Sequence, residues 1–88
     1  MNFNATNEQL TPTQLNTIIS KLKSTIPNFP NLEGRTVSYD YESDINVISF
    51  TWEGGYHTSE DHGAYVLDFN KNGDIIGVEL LNFKIVGA

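Results

Sequence analysis

The chain has 88 residues, a net charge of −6, 39% hydrophobic residues and no cysteine. That is enough for one small domain with a core of aliphatic and aromatic side chains; it excludes a disulfide framework, a thiolate metal site and a disordered chain. No apolar run approaches the roughly 20 residues of a membrane span, and "MNFNATNEQL" lacks the basic start and apolar stretch of a signal peptide, so the expected location is cytoplasmic with no membrane partner.

Residues 1–10 are polar and read as a flexible N-terminus, followed by a single α+β domain over 11–88. In "LTPTQLNTIISKLKSTIP", Thr11 is an N-cap, Pro12 sits at the first helical position, and Gln14 completes a capping box. Leu15, Ile18, Ile19, Leu22 and Ile26 follow the spacing of one apolar stripe, and Pro27 forbids helical geometry at the residue before it. A helix over 12–25 follows. "PNFPNLEG" is a connector.

From Thr36 the period changes from helical to alternating, which opens a β region over 36–86. "TVSYDY" puts Val37, Tyr39 and Tyr41 on one face and Ser38 and Asp40 on the other. "INVISFTW" reads as a central strand, "EGGYHTSEDHG" as the longest irregular segment, and "AYVLDF" and "IIGVELLNF" as two further strands. The expected fold is α+β, with an N-terminal helix packed on a four-stranded antiparallel β-meander.

"DFNKNGDIIGVE" matches the pattern of an EF-hand calcium loop at Asp68, Asn70, Asn72, Gly73 and Glu79. Its flanks read as strands rather than helices, and Ile76 stands where a ligand would be needed. A hairpin explains more residues. Asn72-Gly73 suits a two-residue turn that pairs Phe69 with Ile76, Leu67 with Val78 and Tyr65 with Leu80 on one apolar face. A four-residue turn over Asn70 to Gly73 with a bulge competes with it. In the two-residue register Asp68 and Glu79 lie diagonally on the other face, within reach of a shared partner.

"HTSEDH" gathers His57, Glu60, Asp61 and His62, but the imidazoles lack the helical spacing of a zinc motif and the segment reads as a solvated loop. Trp52 and Tyr56 flank Gly54-Gly55; Trp52 continues the core face of Ile48 and Phe50, while Tyr56 is the more open. No nucleophile elbow or phosphate-binding loop is present, so neither an enzyme nor a cofactor is expected, and no metal site is assigned. Candidate interaction residues are Trp52, Tyr56, His57, Glu60, Asp61, Asp68 and Glu79.

"VSYDYESDINVISF" and "GAYVLDFNKNGDIIGVELLNF" resemble the domain-of-unknown-function family DUF2283. The resemblance rests on Tyr39, Asp40, Asp44, Ile48, Phe50, Asp68, Gly73 and the run from Ile76 to Leu81. It implies a small β-rich module without established chemistry and, because such genes often neighbour toxin-like proteins, an antitoxin or partner-binding role.

Charge points the same way. Residues 33–88 hold ten acids against Arg35, Lys71 and Lys84, a balance of −7, which disfavours direct nucleic-acid binding and suits a basic, toxin-like protein partner. The expectation is a non-enzymatic interaction module that forms a homodimer, binds such a partner, or both. The alternative is a metal- or small-ligand-binding protein.

Overall fold

The computed structural model describes residues 1–85. In chain order the elements are β1 (Asn2–Ala5), α1 (Pro12–Thr25), β2 (Thr36–Glu42), β3 (Val47–Thr51), β4 (Tyr56–Asp61), β5 (Tyr65–Asn70) and β6 (Ile75–Leu80). The strands form one mixed sheet in the order β1-β2-β3-β6-β5-β4, and α1 packs on one of its faces. The class is α+β, but the sheet is not the expected four-stranded antiparallel meander. β1 joins as a parallel edge strand, β4 joins at the opposite edge, and β6 returns to lie between β3 and β5.

The helix is specified locally. Thr11 Oγ1 accepts the Gln14 N–H at 3.1 Å and Gln14 Oε1 accepts the Thr11 N–H at 2.9 Å. Such a cap stabilises a helix by about 1 kcal/mol. Leu15, Ile19 and Leu22 form its buried face, and Ile26 ends it in an extended conformation before Pro27. These side chains close over Val37, Tyr39 and Tyr41 of β2, Ile48 and Phe50 of β3, Trp52 just after it, Leu67 of β5 and Val78 of β6. Period-two alternation places the buried apolar residues of β2, β3 and β5 toward the helix.

The N-terminal strand departs from the expected flexible segment. Phe3 is the one large apolar side chain of residues 2–9, and it meets Tyr39 edge-on with ring centroids 6.3 Å apart. The backbone is held by ladder bonds to β2, by Thr6 N–H donating to the Tyr39 carbonyl, and by Leu10 N–H donating to Tyr39 Oη. Its stability comes from the free edge of β2, which no local pattern in residues 1–10 announces.

The β5–β6 hairpin takes the competing turn. Gly73 N–H donates to the Asn70 carbonyl and Asn70 N–H to the Asp74 carbonyl, both at 3.0 Å. Gly73 has φ +84, whereas Asn72 keeps a negative φ, so the two-residue form with both central residues left-handed does not occur. Phe69 consequently faces Ile75 rather than Ile76. A bulge then admits Ile76 as an extra residue, and from Asp68–Gly77 onward the expected register returns, with Leu67 facing Val78 and Tyr65 facing Leu80. β6 ends at Leu80, short of the expected run to Phe83, and Asn82 turns the chain with φ +53. Residue 86, the last of the expected β region, lies outside the described residues.

The expected loop at 53–63 is a four-residue strap followed by a strand. Trp52–Gly55 carries the chain from β3 to β4 past the ends of β6 and β5. That is three strand spacings, about 14 Å. Trp52 fastens the strap, its N–H donating to the Ile76 carbonyl and its Nε1–H to the Ile75 carbonyl, both at 3.1 Å. β4 then pairs with β5 through a tight turn in which Gly63, at φ +84, takes the left-handed position and His62 N–H donates to the Tyr65 carbonyl.

Candidate interaction site on the open face of the sheet

The face opposite α1 carries two rows of directly opposed side chains. One runs Asn4, Ser38, Thr51, Gly77, Asp68 and Ser59 across all six strands. The next runs Asp40, Ser49, Glu79, Val66 and Asp61 from β2 to β4. Alternation adds Glu42 to the same face, so it holds five carboxylates: Asp40, Glu42, Asp61, Asp68 and Glu79. The five cations all lie elsewhere: Lys21 and Lys23 on α1, Arg35 before β2, Lys71 in the β5–β6 turn and Lys84 after β6.

The centre of this face is shallow. At Gly77 an added Cβ would stand 2.9 Å from the Phe50 carbonyl oxygen and 3.2 Å from Asp68 Oδ2. Glycine there leaves room for the Asp68 carboxylate and the Phe50 carbonyl of the two flanking strands. Asp68 Oδ1 accepts a 2.7 Å bond from Ser59 Oγ, and Ser59 in turn meets the Tyr56 hydroxyl at 2.9 Å. Asp40 is different. Its Oδ1 is buried and has no hydrogen-bond partner among the described residues, a state that costs more for a charged group than for a neutral one.

The candidates separate by location. Asp68 and Glu79 occupy the open face as diagonal neighbours, since Asp68 faces Gly77 and Glu79 faces Val66. Asp61 shares that face at the β4 edge, where its Oδ1 also accepts the Gly63 N–H at 2.8 Å. Tyr56 is 64% exposed at the start of β4, and His57 is the bulged residue between Tyr56 and Thr58. Glu60 lies on the helix side and pairs with His62 at 2.8 Å, and His62 stacks on Tyr65 with ring centroids 4.9 Å apart. Trp52 belongs to the core at 8% exposure, in edge contact with Phe29. The residues from His57 to Asp61 thus lie in an exposed edge strand instead of a loop, with His62 just past its end, and the alternation sends them to two different faces.

The calcium pattern is dispersed in the same way. Asn70 Oδ1 accepts the N–H groups of Asn72 and Asp74, both at 3.0 Å, so it braces its own turn. Among the described residues no three His, Asp or Glu side chains stand together as metal ligands.

On the helix side, beyond the reach of α1, a groove of about 610 Å³ runs under β4 and β5. Tyr65, Leu67, Phe69 and Ile75 line it with Glu60, Asp74 and the Arg35–Glu53 ion pair. The site residues not foreseen are Asp40, Ser49 and Gly77. Alternation in "TVSYDYE" already puts Asp40 away from the core, but only the pairing of β2, β3 and β6 brings Ser49 and Glu79 into line with it. The signal for β4 was Gly63, whose position between His62 and Tyr65 suits a two-residue hairpin.

The fold and this site define a small α+β sheet protein with one helix-covered face and one open acidic face. The family described as protein of unknown function (DUF2283) matches residues 36–84, more than half the chain, and the protein belongs to it. No curated protein and no solved structure matches the chain. The matched segment contains β2 to β6, whereas β1 and α1 precede it.

Proposed function

We propose that the protein is a non-enzymatic interaction module that docks a basic protein partner on the open face of its sheet. The observation that carries this reading is the buried, unpartnered Asp40 Oδ1, set in a face of five carboxylates without a cation. A lysine or arginine from a partner supplies the missing donor once the Asp40 carboxylate turns outward, and charge-assisted bonds of that kind are roughly twice as strong as neutral ones. Complementary charge also raises the rate of encounter and rejects acidic competitors. The helix favours a partner over self-pairing through the core face, because α1 already occupies that face. An antitoxin role, in which the partner is a basic toxin-like protein, is a narrower form of the same reading.

The test compares wild type with the triple variant Asp40→Asn, Asp68→Asn, Glu79→Gln as bait in extracts of the native host. Expected is a basic protein retained by wild type, released by salt and lost by the variant. A wild type that remains a bare monomer, or a partner held equally by both baits, overturns the reading.

A further inference from the structure

We infer that β4 is where the partner enters, by adding an extended basic segment as a seventh strand; this rests on the partner reading above and gives it a geometry. β4 is an edge strand whose six residues are all exposed. Its pairing with β5 fixes which backbone groups are free. His62 N–H bonds to Tyr65, so by the alternation of an antiparallel ladder His62, Glu60 and Thr58 bond inward, while Ser59 and Asp61 turn their N–H and C=O groups outward. An incoming strand would take up those groups, as in recognition by strand addition.

Charge selects the occupant. The strand carries Glu60 on the helix side and Asp61 on the open face, with Asp68 one strand further in. A second copy of β4 laid alongside would bring like charges together, and the bulge at His57 disturbs its register as well. A basic segment avoids the like-charge clash, and over Thr58–Asp61 it pairs with the regular part of the strand, past the bulge. Its residues on the open face reach Asp61 and extend toward Asp68, while those on the other face lie beside Glu60 at the mouth of the groove floored by Tyr65 and Phe69. The matching sequence therefore alternates basic and small apolar residues. The other edge strand, β1, is shorter, at four residues, and carries no charge.

The probe is a synthetic peptide of about eight residues, a length typical of strands, alternating lysine and valine. It is titrated into isotope-labelled protein beside the same peptide N-methylated at alternate residues. The inference expects slowed exchange of the Ser59 and Asp61 amide hydrogens and shifts along β4. Since each lost hydrogen bond removes about 1 kcal/mol, the methylated peptide should bind at least about tenfold more weakly. Equal binding of the two peptides overturns strand addition. Shifts confined to Asp40, Ser49 and Glu79 also overturn it but leave the open face as the dock. No shift anywhere with the lysine peptide counts against both readings. Protection of Ser59 and Asp61 in the free protein that grows with concentration assigns the edge to a second copy and overturns the inference.

Discussion

Gly77 faces Asp68 across the β5–β6 ladder so closely that a methyl group on it would stand 3.2 Å from Asp68 Oδ2. The same methyl would press on the Phe50 carbonyl oxygen at 2.9 Å, and this oxygen belongs to the strand on the other side. A side chain can swing aside, but a backbone carbonyl within a paired strand moves only with its ladder.

Gly77→Ala should therefore destabilise the fold by about 1–3 kcal/mol, the range for overpacking, despite the roughly 0.5–1 kcal/mol that alanine gains over glycine in a strand. Gly54→Ala is the control, because nothing among the described residues lies within 4 Å of its added Cβ and its φ is not positive. Urea unfolding of both variants checks the contrast. Equal stabilities would show that the sheet adjusts at Gly77 without strain.

The turn makes a second prediction. Asn70 Oδ1 holds two backbone N–H groups, while Asn72 keeps a negative φ and contributes its backbone. Asn70→Ala should cost about 1–2 kcal/mol through the lost acceptor, and Asn72→Ala a few tenths at most. A two-residue turn centred on Asn72 would reverse that order, so thermal melts of the two variants distinguish the hairpin forms.

Much of this fold is legible in the residues themselves. The capping box at Thr11 and Gln14, the apolar stripe of α1 and the alternation of β2, β3 and β5 are local patterns, and each became the element its pattern describes. What escaped depends on neighbours distant in sequence. β1 has one apolar anchor and borrows the edge of β2; β4 is almost wholly polar and becomes a strand because β5 offers it a ladder. Asp68 and Glu79 could be paired from the hairpin alone, since both lie within it. Asp40 joins them only when β3 and β6 meet, a contact between segments some 30 residues apart.

Acid should loosen the tie between the N-terminal segment and the β2–β3 turn. Glu8 receives hydrogen bonds from the side chain and backbone of Ser43, which hold its carboxyl below the usual range, and the backbone bond is 2.8 Å long. A carboxylate with a depressed folded pKa contributes stability that is present above its unfolded value, about 4.3, and is lost as pH falls through the folded value. Glu8→Gln should therefore melt slightly below wild type at neutral pH, and the two curves should converge in stronger acid. A melting difference that stays constant from neutral to strongly acidic pH would remove the charge from the explanation.

Trp52 tests the strap. Trp52→Phe keeps an aromatic ring against Phe29 but removes the donor to the Ile75 carbonyl, and should cost about 1 kcal/mol. Trp52→Ala should cost about 3–5 kcal/mol. Hydrogen exchange adds a spatial readout: the phenylalanine variant should open first at β4, the strand that hangs on the strap. Uniform loss of protection across all strands would argue that the indole serves the core alone.

The helix has a consequence for the segment that matches the family. Residues 36–84 alone make five strands whose inner face shows Val37, Tyr39, Ile48, Phe50 and Val78, half of a sandwich without its filling. In this chain the other half is supplied in cis, because α1 is tethered to the same sheet through β1. The tether sets the valence of the molecule. α1 covers most of one side of the sheet, which leaves open one polar face, the groove under β4 and β5, and two edges.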